Sequence, residues 1–529
     1  VPLWQAMSSS LQNVDTTNGY NPPVPKTSAP KLNQSHEGEH RDDFGGKAKI
    51  TAKTYVWAAC AALNSCNLGY DIGVNTVAAP LVQDYFELTD TQLQIFVGSL
   101  NFVAMLGALC ANVVTDKYGR RKAFTAASVT FILGVILQAA AQRFSTLMAG
   151  RVFVGLGVGF GLALDPLYIA EISPASRRGE LVTWSEIATN LGIVFGFISG
   201  LVFGEVNRDV AWRFMFVLGA ILPSFMIYFA NFVLAESPRW LMTRGKQEEA
   251  KSVLRDIYGT DYDITPIMKD IDIANQREAQ AANVVGWNLI LSPPPSFRRM
   301  LIVGISIAIA QQAVGIDAIQ YFALRILEES GIEKDSDQVK IVICLGILKL
   351  FFIIIGGVLF DRRGRRPLIF VSLGGMAIAL FMLSINFFGI NNSTLSIFAL
   401  SIYFAMFSIG MGPGAWLIPS EIFATCIRAR AMSLATFSNR LMAAIFSSTF
   451  LTMAKAMTWG GFFLMLSIIC IALLGYISHI LPETKGRSLE DMLVYFAEIT
   501  GDRSILDAEE KLSKVGHEHP EGTSRVELT

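Results

Sequence analysis

Seven ionisable residues lie deep inside long apolar stretches: Asp71, Arg151, Asp165, Glu186, Asp317, Lys349 and Arg440. In hydrocarbon each costs roughly 2.5–3.5 kcal/mol at a helix centre, so together they must face a cavity or one another. Asp71 sits in the outer half of the first apolar stretch (GYDIGV), and Arg151 sits about six residues below the outer end of the fourth. At about 1.5 Å per residue these are similar depths. A carboxyl alone in a low dielectric keeps its proton, and a guanidinium brought into contact draws that proton off. A pair that forms and breaks can therefore take up and release a proton, whereas a permanent pair would only be a structural salt bridge. Asp317 and Lys349 fall in neighbouring stretches and are expected to pair with each other, lining a site or locking two helices. Asp165 and Glu186 lie nearer the opposite ends, where they fit either a gate or a second proton site. Gln311 and Gln312 place two amides mid-stretch, each able to donate and accept hydrogen bonds, and Trp416 offers an apolar face. Taken singly, such residues would be read as helix packing.

The elements that must position these groups are membrane helices. The chain has 529 residues, 52% hydrophobic and 16% charged, with a mean hydropathy of +0.44. Soluble domains carry about 25% charge, so a soluble enzyme, a coiled coil and a disordered chain are all excluded. Lys+Arg 43 against Asp+Glu 44 leaves no basic excess for nucleic acid. Twelve candidate spans of about 20 residues or more run over 54–79, 93–114, 122–141, 145–168, 180–204, 211–234, 300–327, 338–360, 367–389, 395–418, 431–453 and 460–481. The fold class is thus an all-α membrane protein in two six-helix bundles. The organisation reads as a disordered tail over 1–52, a first bundle over 53–234, a helical linker over 235–299, a second bundle over 300–481 and a C-terminal segment over 482–529, with 501–529 loose. The six cysteines read as buried thiols without metal or disulfide roles, and no metal or cofactor is expected.

Lys and Arg cluster in the loops at 116–122, 171–180 and 361–367, while 80–92 and 389–396 have none. The first set therefore faces the cytoplasm, with both termini and the linker. These clusters also repeat. Asp116-Lys-Tyr-Gly-Arg120-Arg121 recurs 245 positions later as Asp361-Arg-Arg-Gly-Arg365-Arg366. Glu171 and Arg178 recur 250 later as Glu421 and Arg428, and Glu236-Ser-Pro-Arg239 is echoed 247 later at Glu483. Two parallel halves that rock around a mid-membrane site would give this pattern. Positive-inside topology accounts for the arginines but not for the acids beside them, and the acid–base sets are expected to lock the halves when the cytoplasmic side closes.

DKYGRR and DRRGRR, ESPRWL at 236–241, PETKGRS at 482–488, QQAVGID at 311–317 and GPGAW at 412–416 resemble the sugar porter branch of the major facilitator superfamily over about 52–495. AEISPASRRG at 170–179, Lys349, FSIGMGP at 407–413 and Asn439-Arg440 are similar to plant polyol and monosaccharide–proton symporters. The resemblance implies that Asp71 and Arg151 form the proton-coupling pair. It further implies that Gln311, Gln312 and Asn439 contact the substrate, Trp416 stacks on it and Tyr321 helps close the outer mouth. Three departures bear on this. Asn112 stands where the first loop motif opens with glycine, which the second copy keeps as Gly357. Asp317 and Lys349 replace asparagines common in hexose porters, and Ile193 replaces a sugar-binding glutamine.

The expected function is secondary active transport of a monosaccharide or polyol with proton symport, by a monomer in the bilayer of the plasma membrane or an organelle. A facilitator without proton coupling and a non-transporting sensor are the alternatives. No Walker motif, metal-spacing cluster or nucleophile elbow suggests an enzyme. Asn391 to Thr394 holds overlapping glycosylation sequons facing outward, whereas the sequon at Asn33 is expected on the cytoplasmic side.

Overall fold

The computed structural model describes residues 51–515 apart from 175–176, 261 and 285–287. The N-terminal tail, its sequon at Asn33 and the side chains of Asn112, Arg178 and Asp361 lie outside the described residues. Every regular element among them is helical. The first six spans are α1 (Ala52–Phe86), α2 (Asp90–Tyr118), α3 (Arg120–Ala139), α4 (Phe144–Ile172), α5 (Arg178–Phe203) and a pair in tandem, α6 (Arg208–Leu218) and α7 (Ile221–Phe232). Four short helices follow: α8 (Pro238–Thr243), α9 (Gln247–Tyr258), α10 (Thr265–Val284) and α11 (Asn288–Leu291).

The second set opens with a seventh span in three pieces, α12 (Pro295–Ala313), α13 (Ile316–Tyr321) and α14 (Ala323–Glu329). Then come α15 (Asp335–Arg363), α16 (Arg365–Ile385), the tandem α17 (Ser393–Ile409) and α18 (Met411–Ile422), and α19 (Arg428–Ile480). At 53 residues, α19 would be roughly 80 Å long if straight, more than twice a bilayer core. It breaks at Thr458, whose φ is 62°, and so supplies the eleventh and twelfth spans. Ten helices among the described residues are long and apolar enough to cross a membrane. α19 counts once among these, and α1, which carries Asn64, Asn67, Asp71 and Asn75, is not one of them.

Small residues bring α1 and α5 together. A Cβ on Gly69 would fall 1.8 Å from the Thr189 carbonyl oxygen, and one on Gly192 2.1 Å from that of Cys66. Membrane helices lack a hydrophobic force between them, so such backbone contact is what holds the pair.

The repeated loop motif builds the same clasp twice. In the first copy Gly119 turns at φ 88°, a conformation that favours glycine, and opens α3. Arg120 grips Glu171 through Nη2 and Nε at 2.7 and 2.8 Å. The free backbone N–H groups of Arg120 and Arg121 donate to Glu236 at 2.8 and 3.3 Å, where an acid complements the helix N-terminus. In the second copy Gly364 turns at φ 96°. Arg365 Nη2 donates to Glu421 at 2.8 Å, and the N–H groups of Arg365 and Arg366 donate to Glu483 at 3.0 and 3.2 Å. Chemistry this similar at both sites identifies two equivalent halves.

Two helices close the chain, α20 (Leu489–Thr500) and α21 (Ser504–Val515). The expectation of a loose segment from 501 therefore fails over 504–515. Ile505 is fully buried, and Asp502 ties the turn before α21 to the start of α12. Its Oδ2 accepts from Ser296 N and Oγ at 3.1 and 2.8 Å and from Ser504 Oγ at 2.7 Å. The sequence spreads these partners over 206 positions, so no local pattern announces the contact. Cys110 and Cys344 are likewise exposed on the apolar outer surface rather than buried.

The Ser504 and Ser296 donors hold the Asp502 carboxyl down at about 2. Its contribution is complete above the ordinary aspartate value of about 3.9 and is lost as pH falls through about 2. Asp502→Asn should speed amide hydrogen exchange across 504–515 at neutral pH while leaving α12 protected. Unchanged exchange would show that the turn is held by packing alone.

Candidate substrate and ion site

α1 and α4 deliver the first buried pair. Arg151, fully buried, donates from Nη1 to both Asp71 oxygens at 3.0 Å. Its Nε donates to the Phe96 carbonyl at 3.2 Å, and the guanidinium lies over the Phe96 ring at 5.0 Å. The similar depths inferred by counting residues are thus realised as direct contact. Arg151 Nη2 has no hydrogen-bond partner in the protein.

A second polar string runs through the other half. α12 presents Gln311, whose Nε2 donates to the Gly412 carbonyl at 2.8 Å. Its Oε1 accepts from Asn439 Nδ2 at 2.8 Å, and that amide also donates to the Ala308 carbonyl at 2.7 Å. Asn439 Oδ1 in turn accepts from Arg440 Nε and Nη2 at 3.0 and 2.7 Å. Arg440 then reaches across to the first half, donating from Nη1 to Asn101 Oδ1 at 3.3 Å.

The expected Asp317–Lys349 pair is not formed. Gly315, at φ 87°, breaks the span between α12 and α13 and resets the angular phase of the residues after it. Asp317 consequently faces Arg440 Nη1 at 3.6 Å. Lys349 instead donates to Gln320 Oε1 at 2.8 Å, one turn further on. Glu186 of α5 lies within electrostatic reach of Lys349, Arg440 and Asp317, so two acids and two bases from both halves share one region. The near-inner placement assigned to Glu186 from the sequence understated this grouping.

Tyr321, also buried, lies within electrostatic reach of Asp317, Asp71, Arg151 and Arg440. Trp416 is half-buried on α18, one turn beyond Gly412. Several buried polar atoms here have no hydrogen-bond partner in the protein: Gln312 Oε1, Gln320 Nε2, Tyr321 Oη, Asn101 Nδ2 and Asp317 Oδ2, which has only the longer ion-pair contact with Arg440. Buried polar groups are seldom left unpaired. This set of donors and acceptors is suited to a small ligand with several hydroxyls. Sequence reasoning missed Asn101 and Gln320; as isolated amides in apolar runs, they could have been found by the rule applied to the charges.

The two halves are joined at mid-depth and toward the Arg-poor face. Thr76 Oγ1 donates to the Gln320 carbonyl at 3.1 Å, Gln94 exchanges two bonds with Thr452 at 3.0 and 3.2 Å, Lys455 pairs with Asp90 and Arg208 pairs with Asp335. On the Arg-rich face the ion pairs Arg120–Glu171 and Arg365–Glu421 each stay within one half. Neither of these two pairs joins the halves, and Arg178 and Asp361, which the expected lock also uses, have side chains outside the described residues. Asp116 is largely exposed and 3.7 Å from Arg120. The Arg239 carbonyl accepts from Asn275, and Arg428 Nε donates to the Phe423 carbonyl. Asn392, within the expected sequons, uses its side chain to cap α17.

Residues 57–496 match the family described as "Sugar (and other) transporter". The chain is 36% identical over 462 residues to "Probable polyol transporter 4" of Arabidopsis thaliana, covering 86% of this chain and 88% of that protein. It is 36% identical over 461 residues to "Polyol transporter 5" of the same plant, covering 83% and 85%. Among solved structures, the major facilitator superfamily proton:xylose symporter XylE bound to 6-bromo-6-deoxy-D-glucose superposes with a TM-score of 0.72. Its sequence identity is 25%, and the match covers 84% of this chain and 99% of that one.

In the Lys455–Asp90 contact the lysine is exposed and the aspartate partly buried, so like charges placed there should cost about 1 kcal/mol, roughly fivefold in the closed-to-open ratio. Lys455→Glu should accordingly raise several-fold the rate at which an impermeant maleimide, added at the Arg-poor face, labels a cysteine placed at Thr76. The background would lack the exposed Cys110 and Cys344. An unchanged rate would remove this pair from the closure.

Proposed function

We propose, for a chain that belongs to the sugar transporter family, that it carries a polyol or monosaccharide across a membrane with a proton by alternating access. It is an integral, multi-pass membrane protein and not an enzyme. The polyol reading rests on the Arabidopsis relatives named above and on a site crowded with ionised and amide groups. Charged groups form stronger hydrogen bonds than neutral ones, and a flexible row of hydroxyls can meet several at once. Ile193, apolar and buried at the same interface, removes one amide that would otherwise select a pyranose. We assign the protein to the plasma membrane and take the monomer as the working unit.

The observation that carries the proton coupling is the buried Asp71–Arg151 pair, formed while the Arg-poor face is closed. With the Arg-rich face on the cytoplasmic side, this is an inward-facing state. Pairing with Arg151 stabilises the Asp71 carboxylate and releases its proton inward. When the outer side opens, separation from Arg151 lets Asp71 take a proton from outside. Tyr321, within reach of this pair and of Asp317, links the two events. Gln311, Gln312, Asn439 and Trp416 hold the cargo, with Asp317 and Lys349 as its ionic boundary. The clasps of Arg120 with Glu171 and Glu236, and of Arg365 with Glu421 and Glu483, keep each half rigid. In our reading Asp116, Arg178, Arg239, Asp361 and Arg428 meet across the halves only when the cytoplasmic side shuts.

Uptake into proteoliposomes, with and without an acid-outside gradient, tests this against glucose, xylose, sorbitol, mannitol and inositol. Gradient-stimulated polyol uptake is the expected result, and uptake indifferent to the gradient would make the protein a facilitator. Asp71→Asn should abolish accumulation while counterflow persists. Gln311→Ala, which removes two buried hydrogen bonds, should weaken cargo binding by about 1–3 kcal/mol, roughly five- to 150-fold in Kd. Unchanged affinity would place the cargo elsewhere.

A further inference from the structure

α1 and α4 hold a second buried carboxyl that the coupling pair does not use. Asp165 is 1% exposed and stands on α4, seven residues from its Arg-rich end. Asn64 Nδ2 donates to its Oδ1 at 2.8 Å and Ser65 Oγ to its Oδ2 at 2.5 Å. The arrangement inverts the Asp71 layer. There the acid is on α1 and its partner on α4; here the acid is on α4 and its partners on α1. Asn64 and Asp71 are two turns apart, so the second layer lies about 10 Å nearer the Arg-rich face.

The partners differ in one decisive respect. Asp71 has a guanidinium, whereas Asp165 has only an amide and a hydroxyl. No charged side chain from α1, α2, α3 or α5 lies against it among the described residues. On its own helix the next ionised group, Glu171, is held by Arg120, and the neighbouring Tyr168 hydroxyl donates to the Ala235 carbonyl. An ionised carboxylate buried without a cation costs several kcal/mol, and the neutral acid avoids that cost.

The surroundings are built to keep the group in place. A Cβ at Gly161, one turn before Asp165, would come within 2.5 Å of Asn64 Nδ2, so glycine makes the space for that amide. Asn67 continues the polar face toward Asp71. Its Nδ2 donates to Asn64 Oδ1 at 3.4 Å, and its buried Oδ1 has no partner in the protein.

We propose that Asp165 is a second proton-binding carboxyl of the transport cycle, so that each cargo molecule travels with two protons. This rests on the proton-symport reading above. In the proposed cycle Asp71 gives up its proton on pairing with Arg151, while Asp165 carries one on Oδ2, whose O–H then donates to the Ser65 hydroxyl in place of accepting from it. Pro166, Leu167 and Ala170 on the same helix are partly exposed, and in the proposed cycle opening of the Arg-rich side brings water to Asp165. The carboxylic acid then ionises and its proton passes to that water.

The number of protons moved per cargo molecule decides the matter. It is read in proteoliposomes of the full chain by balancing a cargo gradient against a proton gradient, with sorbitol as probe. The wild type is expected to move two and Asp165→Asn one, with the limiting accumulation ratio falling to about its square root. Counterflow, which needs no net proton movement, reports whether the variant is folded. A wild-type value of one overturns the proposal whether or not the variant folds. A value of two that survives in folded Asp165→Asn also overturns it, since the second proton then binds elsewhere. A value of zero would refute proton symport itself and this proposal with it.

Discussion

A charge in hydrocarbon must be answered by another polar group, and this constraint shapes the interior of the molecule. Asp71 is answered by Arg151, Asp317 by Arg440, Lys349 by Gln320 and Asp165 by Asn64 and Ser65. The answers are unequal in kind. Only the first is a close ion pair, the second is a loose one, and the others set a single charge-bearing group against neutral dipoles. Since desolvation is paid by each ion separately and recovered only through good geometry, unequal answers leave groups whose state depends on conformation. A transporter requires such groups.

Outside the membrane region the same chemistry is used for rigidity. Each clasp on the Arg-rich face joins three elements through one arginine and two glutamates, and one glutamate sits over free helix N–H groups. Arginine suits this position because its planar fork engages a carboxylate along two directions. The glycine turn allows the carboxylate to approach: a Cβ on Gly119 would sit 2.5 Å from Glu236 Oε2. What reads as a basic loop motif is therefore a joint in which the acids matter as much as the arginines.

Much of this was legible in the sequence. Apolar run length marked the spans, and counting residues along helices placed Asp71 opposite Arg151. Repetition of the acid–arginine sets marked the halves. The failures share a cause. Spacing alone points Asp317 at Lys349, but a break at Gly315 rotates everything after it, and no residue spacing reports the size of that rotation. The polar composition of the α21 segment suggests a loose chain because its anchors, Asp502 with Ser296 and Glu509 with the Cys426 N–H, are contacts between residues far apart in the chain. Asn101 and Gln320 escaped because neutral amides in apolar runs attract less notice than charges, although burial makes the same demand of both.

The division of labour between the halves has one more consequence. Asp71 and Asp165 belong to the first half, and the string Gln311–Asn439–Arg440 belongs to the second, with Arg440–Asn101 as a hydrogen bond between them at 3.3 Å. On the proposed roles, fuel and freight ride in separate carriages, and this bond is one of several couplings between them, with Thr76–Gln320 and Gln94–Thr452. On the proposed roles, a leak of one without the other would arise where the two halves meet, and tightness of exchange would be a property of that boundary rather than of either compartment.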